Sequence, residues 1–263
     1  ASVSLRFRIR FGYSMCVGEG TMPAITATII TFNEEDHIAG AIASLSCCDE
    51  VLVVDSGSTD RTREIAASRG ARVLTRPWDG YSRQKNFAAE QARHDWILSL
   101  DADERLSMEL ADAIVRDFSP GSAAYSMPRL ASYMGRWIRH SGWYPDRKIR
   151  LYDRRRCQWE GDFVHERLKA DGPVRELHGD VLHFPYRDWN DQLARIDRYT
   201  RLAATAAHSA GRRGSILNLI AAPPLTFIRT FLIHAGFLDG WRGLAIACMA
   251  ARYVFMREFR ILR

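Results

Sequence analysis

The sequence predicts an α/β fold, a mostly parallel sheet flanked by helices, followed by a helical C-terminal region. Three observations lead there. Between Pro23 and Pro128, short β-branched runs alternate with longer helix-like stretches, the pattern left by consecutive βα units. The runs begin about 20 to 27 residues apart, room for one crossover helix each. The last fifth of the chain then changes to apolar residues and arginine.

In order, the strands are expected at Ile25–Thr31, Val51–Val54, Ala71–Thr75 and Trp96–Leu100, each apolar and rich in β-branched side chains. Helices fit Glu35–Leu45, Asp60–Ser68, Tyr81–Ala92 and Ser107–Asp117. Crossovers between parallel strands are right-handed, so the residues just past the strand C-termini collect on one edge of the sheet. After the first strand comes Phe32-Asn33-Glu34-Glu35; after the second, Asp55-Ser56-Gly57-Ser58-Thr59-Asp60; after the fourth, Asp101-Ala102-Asp103-Glu104.

That edge is acidic. Each set has a structural reading of its own: Ser58 or Asp60 as a helix N-cap, Gly57 as a permissive turn, Glu34 as first-turn charge, and Asp101–Asp103 as a capping turn. Independent caps would not have to share an edge, which favours a common ligand. No glycine-rich phosphate loop follows any strand. Carboxylates that recruit a divalent cation, which then holds a diphosphate, are the alternative, and Mg2+ or Mn2+ suits it because few protein ligands are needed.

Thr31-Phe32-Asn33-Glu34-Glu35, Val53-Val54-Asp55-Ser56-Gly57-Ser58-Thr59-Asp60 and Asp101-Ala102-Asp103-Glu104 resemble the nucleotide-sugar half of family 2 glycosyltransferases with the GT-A fold. Trp143-Tyr144-Pro145-Asp146, Arg150-Leu151-Tyr152, Gly161 through Val164-His165-Glu166, and Gly236-Phe237-Leu238-Asp239-Gly240 resemble the branch containing bacterial lipopolysaccharide core β-1,4-glucosyltransferases. The resemblance covers about residues 23–260. It implies a nucleotide-sugar donor site in which Asp55 contacts the base, Glu34 the ribose, and Thr31 the base through its backbone. Asn33 belongs to the same donor site. Asp101 would contact ribose or sugar, Asp103 would bind the metal, and Arg83, Lys85 and Asn86 would form a basic segment near the donor. Phe32 stands where many relatives have Tyr.

An inverting transfer needs a carboxylate to take the acceptor hydroxyl's proton. Glu166 is the first candidate and Asp146 the rival; an ion pair for Glu166 and a turn after Pro145 for Asp146 are the competing readings. Trp137, Trp143, Tyr144 and Trp159 are core aromatics or sugar platforms. Arg147, Lys148, Arg150 and Arg154–Arg156 are a solvated face or suit a phosphorylated glycolipid. His165, His178 and His183 have spacings that match no common metal site. Their expected place is the core or the surroundings of the site.

Composition is that of an ordinary globular protein: 263 residues, 47% hydrophobic and 26% charged. Five cysteines, with Cys47 and Cys48 adjacent, suggest neither a disulfide framework nor a zinc module, and a reducing compartment fits. The net charge of +6 is local. Residues 1–211 hold 29 basic and 29 acidic side chains, whereas residues 212–263 hold eight arginines against Asp239 and Glu258. A nucleic-acid partner is therefore not expected. The division expected is a flexible basic arm at 1–22 with no signal peptide, a catalytic domain at 23–211, and a membrane-associating region at 212–263. Gly214–Leu238 looks too short and broken to span a bilayer. On a helical wheel of Trp241–Arg263, Arg242, Arg252, Arg257, Arg260 and Arg263 oppose Leu244, Val254, Phe255, Phe259, Ile261 and Leu262, with Glu258 out of place among the apolar residues. This pattern predicts an in-plane amphipathic helix on an anionic membrane surface.

The function expected is transfer of a hexose, glucose first, from its uridine diphosphate to a lipid-linked saccharide such as the lipopolysaccharide inner core, at the cytoplasmic membrane face. The alternatives are a sugar nucleotidyltransferase and a non-catalytic sugar-nucleotide-binding membrane protein.

Overall fold

The structure is a computed structural model that describes residues 22–161 and 166–263. Apart from Met22, the expected basic arm lies outside the described residues, and so does His165.

Strands β1 (Ile25–Thr31), β2 (Glu50–Asp55), β3 (Arg72–Thr75) and β4 (Trp96–Asp101) stand in the order β3-β2-β1-β4, all parallel. Alternation along β1 sorts its side chains by face. Ile25, Ala27 and Ile29 enter the main core, whereas Ile30 joins Leu52, Val54 and Ala88 on the opposite face. The crossover helices are α1 (Ile38–Ala43), α2 (Thr62–Ser68) and α3 (Tyr81–Gln91). Helix α1 starts three residues later than the sequence suggests. The amides of Glu34 and Glu35 bond instead to Thr62 Oγ1 and Asp60 Oδ2, at 2.8 and 3.2 Å, so side chains from the next loop satisfy them.

Beyond β4 the sheet becomes mixed. After β5 (Glu104–Leu106) and α4 (Met108–Asp117) come β6 (Ala124–Tyr133), β7 (Arg136–Trp137) and β8 (Asp146–Asp153). Next come β9 (Cys157–Glu160), β10 (Arg167–Ala170), β11 (Val174–Glu176) and β12 (Val181–His183). The order continues β4-β8-β6-β12-β5. β8 is antiparallel to β4 and β6, and β12 is parallel to β6. This topology fixes the site. β1, β2, β4, β6 and β12 run one way and end at the same edge, while β8 begins there with Asp146.

The C-terminal third is helical: α5 (Trp189–Ser209), α6 (Ile216–Ile228), a π turn (Arg229–Ile233), a 3-10 turn (Gly236–Asp239) and α7 (Trp241–Leu262). Tyr133 donates to Gln192 at 2.7 Å and holds α5 to β6. Residues 212–263 are closely tied to the rest: Arg260 bonds to Asp197 and Thr200 of α5, Arg242 to the Met134 carbonyl, and Arg212 to buried Glu258 at 3.1 Å. Arg257 also pairs with Glu258. Three of the five arginines expected to face a membrane are thus engaged within the protein, and Glu258 sits among apolar residues because two guanidinium groups neutralise it. Pro223 and Pro224 lie inside α6 without ending it. Ile216–Ile233 is, by length and composition, long and apolar enough to cross a membrane, contrary to the sequence expectation, and only 6% of it is buried.

Candidate active site

The acidic edge contains two kinds of carboxylate. The first kind organises loops. Asp55 is fully buried at the end of β2 and accepts from the amides of Gly57 and Ser58, both at 2.9 Å, and from the Ser58 hydroxyl. Both its oxygens accept from its own turn. Asp60 accepts from the Thr62 amide and hydroxyl and from the Glu35 amide. Asn33, at φ 54°, accepts from the Thr59 amide at 2.8 Å and donates its own amide to Ser58 Oγ at 2.9 Å. These bonds lock the β1 and β2 loops together; the N-cap of α2 is Arg61, with no side-chain cap bond, so neither Ser58 nor Asp60 caps that helix. Thr31 is buried, with its hydroxyl unpaired among the described residues.

The second kind faces the site. Asp103 lies 3.4 Å from His183 Nε2, and its carbonyl accepts from the Phe184 amide at 2.9 Å. Glu34 is near enough to feel that charge. Burial first, and Asp103 next, push its carboxyl up to about 7, although Arg187 at 3.7 Å opposes the shift. Arg187 also donates to the Asn33 carbonyl at 2.9 Å. The segment before α5 is thereby strapped across the end of β1, and Arg195, bonded to Asp191 at 3.1 Å, adds positive potential toward Glu34 and Asp103.

Asp101 is held between Lys85, 3.1 Å from Oδ1, and Arg150, 3.0 Å from Oδ2. Burial acts to raise its carboxyl, but those two cations hold it far below the usual carboxylate range. Lys85 is only 2% exposed, stands 4.6 Å over the Trp159 ring and reaches Glu166 at 3.4 Å. Arg150 continues to buried Glu104, then Arg129, then Asp146 at 2.6 Å, which Lys148 meets at 3.0 Å. One chain of alternating charges thus joins both candidate bases. Burial would raise Asp146 too, yet Arg129 and Lys148 hold it below its ordinary value. A carboxylate with two cationic partners is a poor proton acceptor; among the described residues Glu166 has one.

The expected basic segment divides. Only Lys85 enters the site. Arg83 points outward and pairs with Asp79 at 2.9 Å, while Asn86 bonds to the Trp159 backbone in both directions. Arg147, Arg154 and Arg155 pair with Glu176, Asp95 and Asp153, and Arg156 donates to the Asp171 carbonyl. The Arg147 and Arg155 side chains are nonetheless 42% and 61% exposed. His183, Arg187 and Arg195 were not singled out as site residues by sequence. For His183 a signal existed: an apolar pair, Val181-Leu182, ends in a histidine just before the helix start, the same strand-end position as Asp101. Its partner, Asp103, is set only by β12 lying beside β5.

A carboxylate and an imidazole 3.4 Å apart could hold a divalent ion together, leaving other positions to substrate oxygens and water. Among the described residues no group of three His, Cys, Asp or Glu side chains could do so. The pair fits Mn2+ better than Mg2+, whose preference is for oxygen.

The profile of the family described as "Glycosyl transferase family 2" matches residues 26–168. The lipopolysaccharide core biosynthesis glycosyltransferase LpsC of Rhizobium meliloti (strain 1021) is 31% identical over 254 residues, covering 90% of this chain and 91% of that protein. An uncharacterized glycosyltransferase, RC0292, of Rickettsia conorii (strain Malish 7) is 47% identical over 251 residues, 89% of this chain and 88% of that protein. Among solved structures, mannosyl-3-phosphoglycerate synthase from Rubrobacter xylanophilus aligns with 74% of this chain and 77% of its own, at 19% identity and a TM-score of 0.45. A profile match over more than half of the residues, and relatives alike along nine-tenths of them, place the chain in glycosyltransferase family 2.

Proposed function

We propose that this glycosyltransferase moves a hexose, with glucose from uridine diphosphate glucose as the first candidate, onto a lipid-linked saccharide such as the lipopolysaccharide inner core, with inversion at the anomeric carbon. The observation that carries this reading is that Lys85 bridges Glu166 to Asp101 of the acidic edge. Likeness to LpsC supports the acceptor class.

In this reading Asp103 and His183 would hold Mn2+ or Mg2+, whose contribution when bound would be to neutralise charge on the departing diphosphate. Lys85 keeps Asp101 and Glu166 a fixed distance apart; Glu166 accepts the acceptor's proton as its oxygen attacks. Arg187 and Arg195 sit on the donor side, where negative charge develops. Full-length Glu166→Gln should bind donor and Mn2+ as the unaltered protein does, yet lose transfer by about a hundredfold or more. Near-normal turnover would remove Glu166 from the mechanism; Asp146→Asn in parallel tests the rival.

The enzyme works, in this proposal, at the cytoplasmic face of an anionic membrane, but through a surface other than the arginine face of α7. Ile216, Leu217, Ile220, Leu225, Ile233 and Leu238 are all more than half exposed. Both carboxylates of residues 212–263, Asp239 and Glu258, are buried, so no acidic side chain opposes an anionic lipid there. Both ends of this apolar segment touch the folded body: Gly214 abuts Leu262, and the His234 carbonyl accepts from the Ser141 amide at 2.9 Å. That favours a helix lying in the interface over one crossing it.

A further inference from the structure

The hairpin between β6 and β7 carries exposed groups for which the donor site has no use. Because β6 runs parallel to β4, the hairpin projects from the edge that holds Asp101 and Asp103. Trp137 is 37% exposed, and its ring meets Phe184 at 5.4 Å. Phe184 is the residue whose amide bonds to the Asp103 carbonyl, so one ring separates Trp137 from the candidate metal site. The other rings expected as sugar platforms are occupied. Trp143 packs against Tyr133 and Tyr186, Trp159 lies under Lys85, and Tyr144 donates to Asp180 at 3.0 Å beneath Arg139.

Pairing sets Arg136 opposite buried Tyr133 and Trp137 opposite Ser132, so Arg136 and buried Ile138 lie on one face of the hairpin and Trp137 and Arg139 on the other. Arg139 is exposed, lies 5.3 Å over the Tyr144 ring and has no carboxylate partner among the described residues, in contrast to Arg129, Arg147 and Arg150. The hairpin is also rigidly supported. Arg242 donates twice to the Met134 carbonyl, at 2.8 and 3.0 Å. Buried Asp239 accepts from the amides of Arg139 and His140, at 3.4 and 3.2 Å, and from the Ser141 hydroxyl at 3.1 Å. Asp239 comes from the 3-10 turn whose Phe237 and Leu238 are exposed on the apolar surface.

We infer that this hairpin is an acceptor subsite for a phosphorylated saccharide, with Trp137 as the platform for a pyranose ring and Arg139, on the same face, as a ligand of its phosphate. Indole offers a broad, weakly polar face to the sugar's C–H groups, and a guanidinium group without a carboxylate partner matches phosphate oxygens bidentately. The inference rests on the proposed lipid-linked acceptor and places that acceptor between the apolar surface and the donor edge. Asp239 is a positioning residue that holds the subsite to the C-terminal helices.

The test uses the full chain, uridine diphosphate glucose and Mn2+, with inner-core lipopolysaccharide as acceptor, intact or dephosphorylated. The Arg139→Gln variant should raise KM for the phosphorylated acceptor about tenfold or more, with the loss in KM rather than kcat. It should leave KM for the dephosphorylated acceptor where it was. Trp137→Ala should raise KM for both. Unchanged KM values overturn the subsite. Loss of binding to phosphatidylglycerol vesicles with an unchanged acceptor KM overturns it as well, since Arg139 would then serve lipid headgroups. Calorimetric titration of the lipid-free phosphorylated core oligosaccharide keeps the two readings separable. Weaker binding by the variants supports the subsite even if wild type transfers no hexose, and equal or absent wild-type binding refutes it. These side chains are exposed, and circular dichroism checks that the variants fold.

Discussion

Glu34 offers a test of the site that requires no substrate. Its carboxyl ionises near 7 in the folded protein against an ordinary value of 4.5, because it is buried and faces Asp103. A folded-state value above the unfolded one means that the folded state holds the extra proton between those limits. Stability therefore falls as pH rises from about 4.5 to about 7 and levels off above. The separation of about 2.5 units corresponds to about 3 kcal/mol at full effect. Glu34→Gln replaces the protonated carboxyl with a neutral group of the same shape, so the variant should match wild type near pH 4.5 and exceed it by about 2–3 kcal/mol at pH 8. Urea unfolding of both proteins at the two pH values, without divalent metal, measures this as a difference of differences, which cancels any fixed effect of the substitution. An advantage that stays flat with pH, or that shrinks toward pH 8, would refute the burial-and-repulsion account. Saturating Mn2+ should reduce the advantage at pH 8, since a cation held by Asp103 reverses the sign of the charge facing Glu34.

Lys85→Met should destabilise the protein by about 3–5 kcal/mol in denaturant unfolding at pH 7, because it leaves Asp101 and Glu166 without their shared buried cation; a loss under 1 kcal/mol would show that Arg150 suffices for Asp101. Arg83→Met, on the same helix but exposed, should cost under about 1 kcal/mol in the same assay. His183→Ala should weaken Mn2+ affinity, measured calorimetrically with uridine diphosphate present, by about tenfold or more, and an unchanged affinity would leave Asp103 without this partner. Leu217→Glu/Leu238→Glu should abolish co-flotation with phosphatidylglycerol vesicles while leaving the far-ultraviolet spectrum intact; retained flotation would move the contact elsewhere.

The first four strands were legible because their signals are local. Ile25–Thr31 alternates on both faces of a parallel sheet, and the predicted strand coincides with the observed one. Helix Tyr81–Gln91 was equally legible, and its periodicity contained more than was taken from it. Lys85 shares a buried face with Ser82, Ala88 and Ala89, whereas Arg83 points about 160° away from that face. A wheel of this helix separates the site lysine from the surface arginine. The β12 strand has only three residues and gives no usable period, so the place of His183 beside Asp103 was not legible. The arginines of α7 were read as a free face because a wheel records direction and not neighbours. Arg260 points at α5 and Arg242 at the β6–β7 hairpin.

The sequence by itself determined that an acidic edge follows β1, β2 and β4, since parallel βα units place every strand end on one side, and that the chain's excess charge lies at its C-terminus. Only the tertiary structure decided what each charge does. Asp55 turns inward to its own loop, Asp101 is neutralised by Lys85 and Arg150, Asp103 meets His183, and Glu258 is met by Arg212. Apart from that of Asp55, each of these pairings spans 16 to 80 positions of the chain. Coulomb energy depends on separation in space and on burial, and neither is fixed until the strands are in register and the helices are packed.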